Sequence, residues 1–82
     1  MPSADKILME TMSGTKDRNI KFSDLQKLLV NMGFSCRIKG DHFIYFHSSI
    51  DEIINIQPDG SKAKPYQVKQ VRDLILKYKM GV

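Results

Sequence analysis

The period at which apolar residues recur changes along this chain, and each change marks an element. Leu25, Leu28, Leu29 and Met32 fall at helical spacing and define one buried stripe. Ser23 precedes them, and Gln26 three positions on completes a Ser-x-x-Gln capping box. Asp24 adds a negative charge where the helix dipole favours one, and Gly33 supplies a left-handed stop. The spacing predicts a helix of about ten residues.

From Phe34 the period drops to two. Phe34, Cys36 and Ile38 alternate with Ser35, Arg37 and Lys39, which predicts a half-buried strand with Cys36 as a small buried hydrophobe. Gly40-Asp41 is a hairpin turn dipeptide, and the aromatic and β-branched run His42 to His47 is the returning strand. Its two faces, His42, Ile44, Phe46 and Phe43, Tyr45, His47, are both largely apolar, which predicts a central strand covered at least partly on both sides. Ser48 to Glu52 makes a second turn, with Asp51-Glu52 as a solvated acidic pair, and Ile53 to Gln57 a third strand.

Pro58-Asp59-Gly60-Ser61 ends that strand, and a loop runs on to Lys64. Pro65 suits the first turn of a helix, where its missing N–H costs nothing. Val68, Val71, Leu74, Ile75 and Tyr78 then form a second core stripe, with Lys69–Asp73 and Asp73–Lys77 spaced to pair outside it. Residues 4–12 favour a helix, with Leu8 and Met12 on one side, and the polar stretch from Gly14 to Asn19 reads as a linker. The chain therefore divides into a helical leader (1–19) and a domain (20–82) of order α-β-β-β-α. Three antiparallel strands cannot leave an apolar face bare, so both long helices belong on one side of the sheet. That is the α+β layout of a double-stranded-RNA-binding-domain-like sandwich with an extra N-terminal helix.

Eighty-two residues suffice for one economical core, and the single cysteine excludes an internal disulfide framework or a Cys-based zinc site. The opening residues lack the basic and apolar segments of a signal peptide, and no apolar run is long enough for a membrane helix, so the expected location is cytoplasmic. Charge is unevenly spread. Residues 1–60 hold seven Lys/Arg and eight Asp/Glu, whereas residues 61–82 hold six and one. A basic excess at one end fits either a polyanion or acidic partner or a merely solubilising surface.

The sequence carries no P-loop, Rossmann glycine pattern, nucleophile elbow or His/Cys cluster with zinc spacing. His42 and His47, five apart on a strand, face opposite ways and cannot share a metal directly. His42 follows a glycine turn and is close in sequence to Arg37 and Lys39. Imidazole can take the proton of a ribose 2′-OH or protonate a leaving oxygen, while flanking cations hold the phosphate. RNA supplies its own nucleophile, so one histidine suffices for a ribonuclease. A lone strand histidine is more often structural, and the residues alone leave both readings open.

The helix ending Leu28-Leu29…Met32-Gly33-Phe34, the turn Lys39-Gly40-Asp41-His42, the strand Tyr45-Phe46-His47 and the start Lys64-Pro65 of a helix with Leu74-Ile75-Leu76-Lys77 resemble, in that order, the HicA family of toxins. The resemblance spans about residues 20–80. It implies an mRNA-cleaving endoribonuclease of a type II toxin–antitoxin pair, with His42 as catalytic residue, no metal or other cofactor, and mRNA and a HicB-like antitoxin as partners. Arg37, Lys39, Gly40, Lys62, Lys64, Lys69 and Arg72 are the expected RNA-binding residues, and Leu76, which lies off the core stripe of the last helix, and the apolar residues of the leader helix are candidates for the antitoxin. Two departures stand out. Asp41 occupies a position usually Ser or Gly, and Ser48-Ser49 replaces a proline-rich turn. A carboxylate at Asp41 either orients the imidazole and favours its protonated form, or repels RNA phosphate. The alternative function is a non-catalytic RNA-binding or protein-interaction module on the same scaffold.

Overall fold

A computed structural model describes residues 3–80; the first two and last two residues lie outside it. Helix α1 spans Ala4–Ser13 and α2 Phe22–Asn31; strands β1 (Ser35–Lys39), β2 (His42–Phe46) and β3 (Ile54–Ile56) form an antiparallel sheet in the order β1-β2-β3. A short hairpin of β4 (Pro58–Asp59) and β5 (Lys62–Ala63) follows, and α3 (Pro65–Lys77) closes the fold. The α+β sandwich with its extra N-terminal helix is the layout expected from the periodicity.

The core lies on one face of the sheet. Tyr45 and Phe43 of β2 stand opposite Ile54 and Ile56 of β3, and Leu25, Leu28 and Leu29 of α2 meet Val68, Val71, Leu74 and Ile75 of α3 in the same cluster. Phe22 meets Phe43 edge-on, ring centroids 5.1 Å apart, a favoured aromatic geometry. Burial pushes the Tyr45 phenol up to about 12. The leader is part of this core: α1 rests on α2 and α3, Ile7 and Thr11 are fully buried, and Leu8 and Met12 pack against the cluster.

Several local expectations change. Ser23 is not a cap. Helix α2 begins at Phe22 with Lys21 as N-cap, because Phe22 N donates to the Ser61 carbonyl at 3.0 Å and Lys21 bridges Lys62, so tertiary pairing fixes the start two residues earlier. The stretch from Pro58 to Lys64 is not an open loop but a tight hairpin, turned by Gly60 at φ 63°, with Ala63 buried and its N–H donated to the Ile20 carbonyl.

Strand β1 is exposed throughout, Cys36 and Ile38 included. It is an edge strand packed chiefly on β2, with the helices drawn over β3 and β5 instead. Strand β2 is central, and its second face is only partly covered: His42 and Phe46 are exposed and Ile44 is half-buried. Finally, Lys69 pairs with Asp73 as spaced, at 2.7 Å, but Lys77 turns to Glu52 at 2.9 Å. Glu52 is therefore not simply solvated: it also accepts from the Tyr78 hydroxyl at 2.6 Å.

Candidate active site

The open sheet face carries His42, the expected catalytic residue. Lys39 stands opposite His42 across the β1–β2 ladder, and Arg37 opposite Ile44. Between them Gly40 takes φ 63°, the positive φ that a two-residue turn with glycine first requires. Arg37 also lies over the Phe46 ring, 5.8 Å from its centroid. A half-exposed imidazole thus sits at the mouth of a turn, with the cationic side of β1 beside it.

Strand β3 supplies what the sequence reading missed. Its alternation sends Ile54 and Ile56 into the core and leaves Asn55 on the open face, opposite Ile44. Asn55 Oδ1 lies 3.2 Å from His42 Nδ1, and Gln57 Nε2 lies 3.3 Å from His42 Nε2. The Lys64 ammonium donates to Gln57 Oε1 at 3.2 Å. The Gln57 backbone N–H donates to Oε1 of Gln67, a buried residue of α3, at 2.9 Å. Asp41 Oδ1 stands 3.7 Å from His42 Nε2.

These contacts bear on the ring's protons. An ammonium only donates, so Lys64 faces the oxygen of the Gln57 amide, which turns its NH₂ towards the ring. A neutral ring suits that arrangement with Nε2 as acceptor from Gln57 and Nδ1–H as donor to the Asn55 oxygen. Both ring nitrogens lie within hydrogen-bond distance of an amide.

A groove of about 550 Å³ starts at His42 and runs along β3 and α3 past Asn55, Gln57, Tyr66, Gln70 and Lys77. Tyr66, in the first turn of α3, is 58% exposed. It offers an aromatic face next to a row of amides.

Of the expected RNA-binding residues, Lys39, Gly40 and Lys64 converge on His42, and Arg37 lies next along the same face. Lys62 instead donates to Asn19 Oδ1 at 3.3 Å, and Lys69 is paired with Asp73. Arg72 is bound to Asp17 through both carboxylate oxygens and to the Thr11 carbonyl, joining α3 to α1. The basic C-terminal third is thus largely cross-braced to the rest of the fold. His47 serves packing: it meets Phe34 edge-on at 5.1 Å, and its Nδ1 accepts from Ser49 N at 3.0 Å. A Cβ at Gly33 would lie 3.1 Å from its Nε2. The signal for Asn55 and Gln57 was present as period-two alternation in the third strand, but only the register shows that they flank His42.

Among the described residues no group of three or more His, Cys, Asp or Glu is placed to hold a metal, and no helix is long and apolar enough to cross a membrane. Residues 22–78 match a family model described as HicA toxin of bacterial toxin–antitoxin. No curated protein and no solved structure matches the chain significantly.

Proposed function

Because the chain belongs to the HicA toxin family, we propose that it is the toxin of a type II toxin–antitoxin pair: an endoribonuclease that cleaves mRNA through His42, without a metal, and is silenced by a HicB-like antitoxin. In this reading residues 20–82 form the catalytic domain, and residues 1–19 are an addition docked on it.

The observation that carries the proposal is the setting of the His42 ring, half-exposed at a strand start with Asn55 and Gln57 within hydrogen-bond distance of its two nitrogens. A 2′-OH that takes the place of the Gln57 amide at Nε2 gives its proton to the ring. The 2′-oxygen attacks phosphorus, the P–O5′ bond breaks, and the imidazolium returns the proton to O5′. Products are a 2′,3′-cyclic phosphate and a 5′-hydroxyl. Lys39, Arg37 and Lys64 offset the charge on the phosphorane, and the turn at Gly40 leaves that face unobstructed. The groove beyond Asn55 accommodates the neighbouring nucleotide, with Tyr66 as a stacking face. A groove of this shape takes a single strand better than a duplex, whose bases are already stacked.

Expression in a bacterial host tests this. Wild type arrests growth, His42→Ala does not although it accumulates folded, and co-expression of a HicB-like antitoxin restores growth. Full toxicity of a folded His42→Ala protein would leave the non-catalytic RNA-binding module as the better reading.

A further inference from the structure

The Asp41 substitution in the turn and the Gln57 contact converge on one atom, and together they suggest a role that neither has alone. We propose that Gln57 and Asp41 are alternate partners of His42 Nε2: Gln57 selects the neutral ring with Nε2 free of a proton, and Asp41 receives the imidazolium once Nε2 is protonated. The inference rests on the ribonuclease reading above, but its structural half can be tested without any cleavage.

The argument is one of donors and acceptors. Gln57 can present only its NH₂ to the ring while Lys64 holds its oxygen, so its contact at Nε2 exists only when that nitrogen is bare. Protonation of Nε2 turns acceptor into donor, and the Gln57 contact becomes donor against donor. The nearest acceptor is then Asp41 Oδ1, already 3.7 Å away. Asn55 Oδ1 accepts from Nδ1–H in both states, so the ring keeps its place while its second partner changes. Neither residue touches the reacting bond. Both are positioning residues that act through His42.

The charged groups around the ring are few. Asp41 lies on its own turn, Lys39 across the ladder on β1, and Lys64 behind Gln57 at the start of α3. Farther along the groove Glu52 and Lys77 neutralise one another, and Asp73 is paired with Lys69. Asp41 is therefore the one carboxylate in direct reach of Nε2 among the described residues.

The test has two arms. In the free protein, long-range ¹H–¹⁵N spectra of neutral His42 should show the Nδ1–H tautomer in the wild type. Gln57→Glu should shift it to the Nε2–H tautomer, because a carboxylate beside Lys64 accepts where the amide donated. Gln57→Ala, which adds no charge, should give a mixture. An Nε2–H tautomer in the wild type, or one indifferent to both substitutions, would overturn the proposal. In the second arm, the Nε2–H proton of the protonated His42 ring should resonate where a carboxylate-bonded proton does in the wild type and in Asp41→Glu, and lose that position in Asp41→Asn. Spectra that coincide in all three proteins would overturn the exchange of partners. The expected tautomers without any cleavage by the wild type would reject the ribonuclease reading alone and leave the Gln57 assignment standing.

Discussion

The guanidinium of Arg72 is bound by both carboxylate oxygens of Asp17, at 2.8 and 3.2 Å, across 55 residues of chain. The same group donates to the Thr11 carbonyl at 3.2 Å, so one side chain of α3 ties down both α1 and the segment after it. Arg72 is held further towards the charged form by its hydrogen bonds to Asp17. The pair is largely shielded from solvent, which limits screening. Arg72→Ala should cost about 1–3 kcal/mol, read as a fall in Tm of roughly 4–8 °C per kcal/mol for a domain of this size. Arg72→Lys should recover only part of it, because an ammonium cannot make the paired contacts. At temperatures where the variant is folded, its action on RNA should match the wild type.

A second test concerns the same helix. Thr11 is fully buried, and its hydroxyl oxygen has no hydrogen-bond partner among the described residues. Thr11→Val keeps the shape and removes the unsatisfied group. It should raise stability by about 1 kcal/mol in denaturant unfolding.

These two cases mark where the sequence stopped being informative. The stripes Leu25-Leu28-Leu29 and Val68-Val71-Leu74-Ile75 are local, so helical spacing identified both helices and their buried faces. The Gly40-Asp41 turn was equally local. Strand alternation shows which residues share a face, not whether anything covers it, so Cys36 and Ile38 read as buried while they lie exposed on an edge strand. The partners of His42 depended on the pairing of β2 with β3, 13 and 15 residues away. Arg72 read as one more cation in a basic segment because its carboxylate partner lies in what looked like a linker.

The acid end of the stability profile depends on Glu52. Its carboxyl is held below the usual carboxylate range, first by the Tyr78 hydroxyl and then by Lys77. A lowered folded value means that this contribution is present above the unfolded carboxylate range and is lost as pH falls through the folded value. Tyr78, raised chiefly by its hydrogen bond to Glu52, has the opposite sign and loses its share as pH climbs through its folded value. Glu52→Gln should therefore lower Tm at neutral pH, flatten the decline as pH falls through the carboxylate range, and converge with the wild type at the acid end. An unaltered acid slope would remove Glu52 from that account.

The groove makes a prediction about substrate. If Tyr66 stacks on a base beside the cleaved bond, Tyr66→Ala should raise KM for single-stranded RNA roughly tenfold, while Tyr66→Phe stays near the wild type. Kinetics on one short labelled oligonucleotide decide it. Equal KM values for all three proteins would place the strand elsewhere.

The central claim is that His42 performs the chemistry on RNA without a metal. Its most direct measurement is incubation of end-labelled RNA with purified protein in excess EDTA, comparing wild type with a folded His42→Ala variant. The account predicts cleavage by the wild type to fragments ending in 2′,3′-cyclic phosphate, and a rate at least about 100-fold lower in the variant. Cleavage of equal rate in both, or RNA left intact by a wild-type protein that binds it, would contradict it.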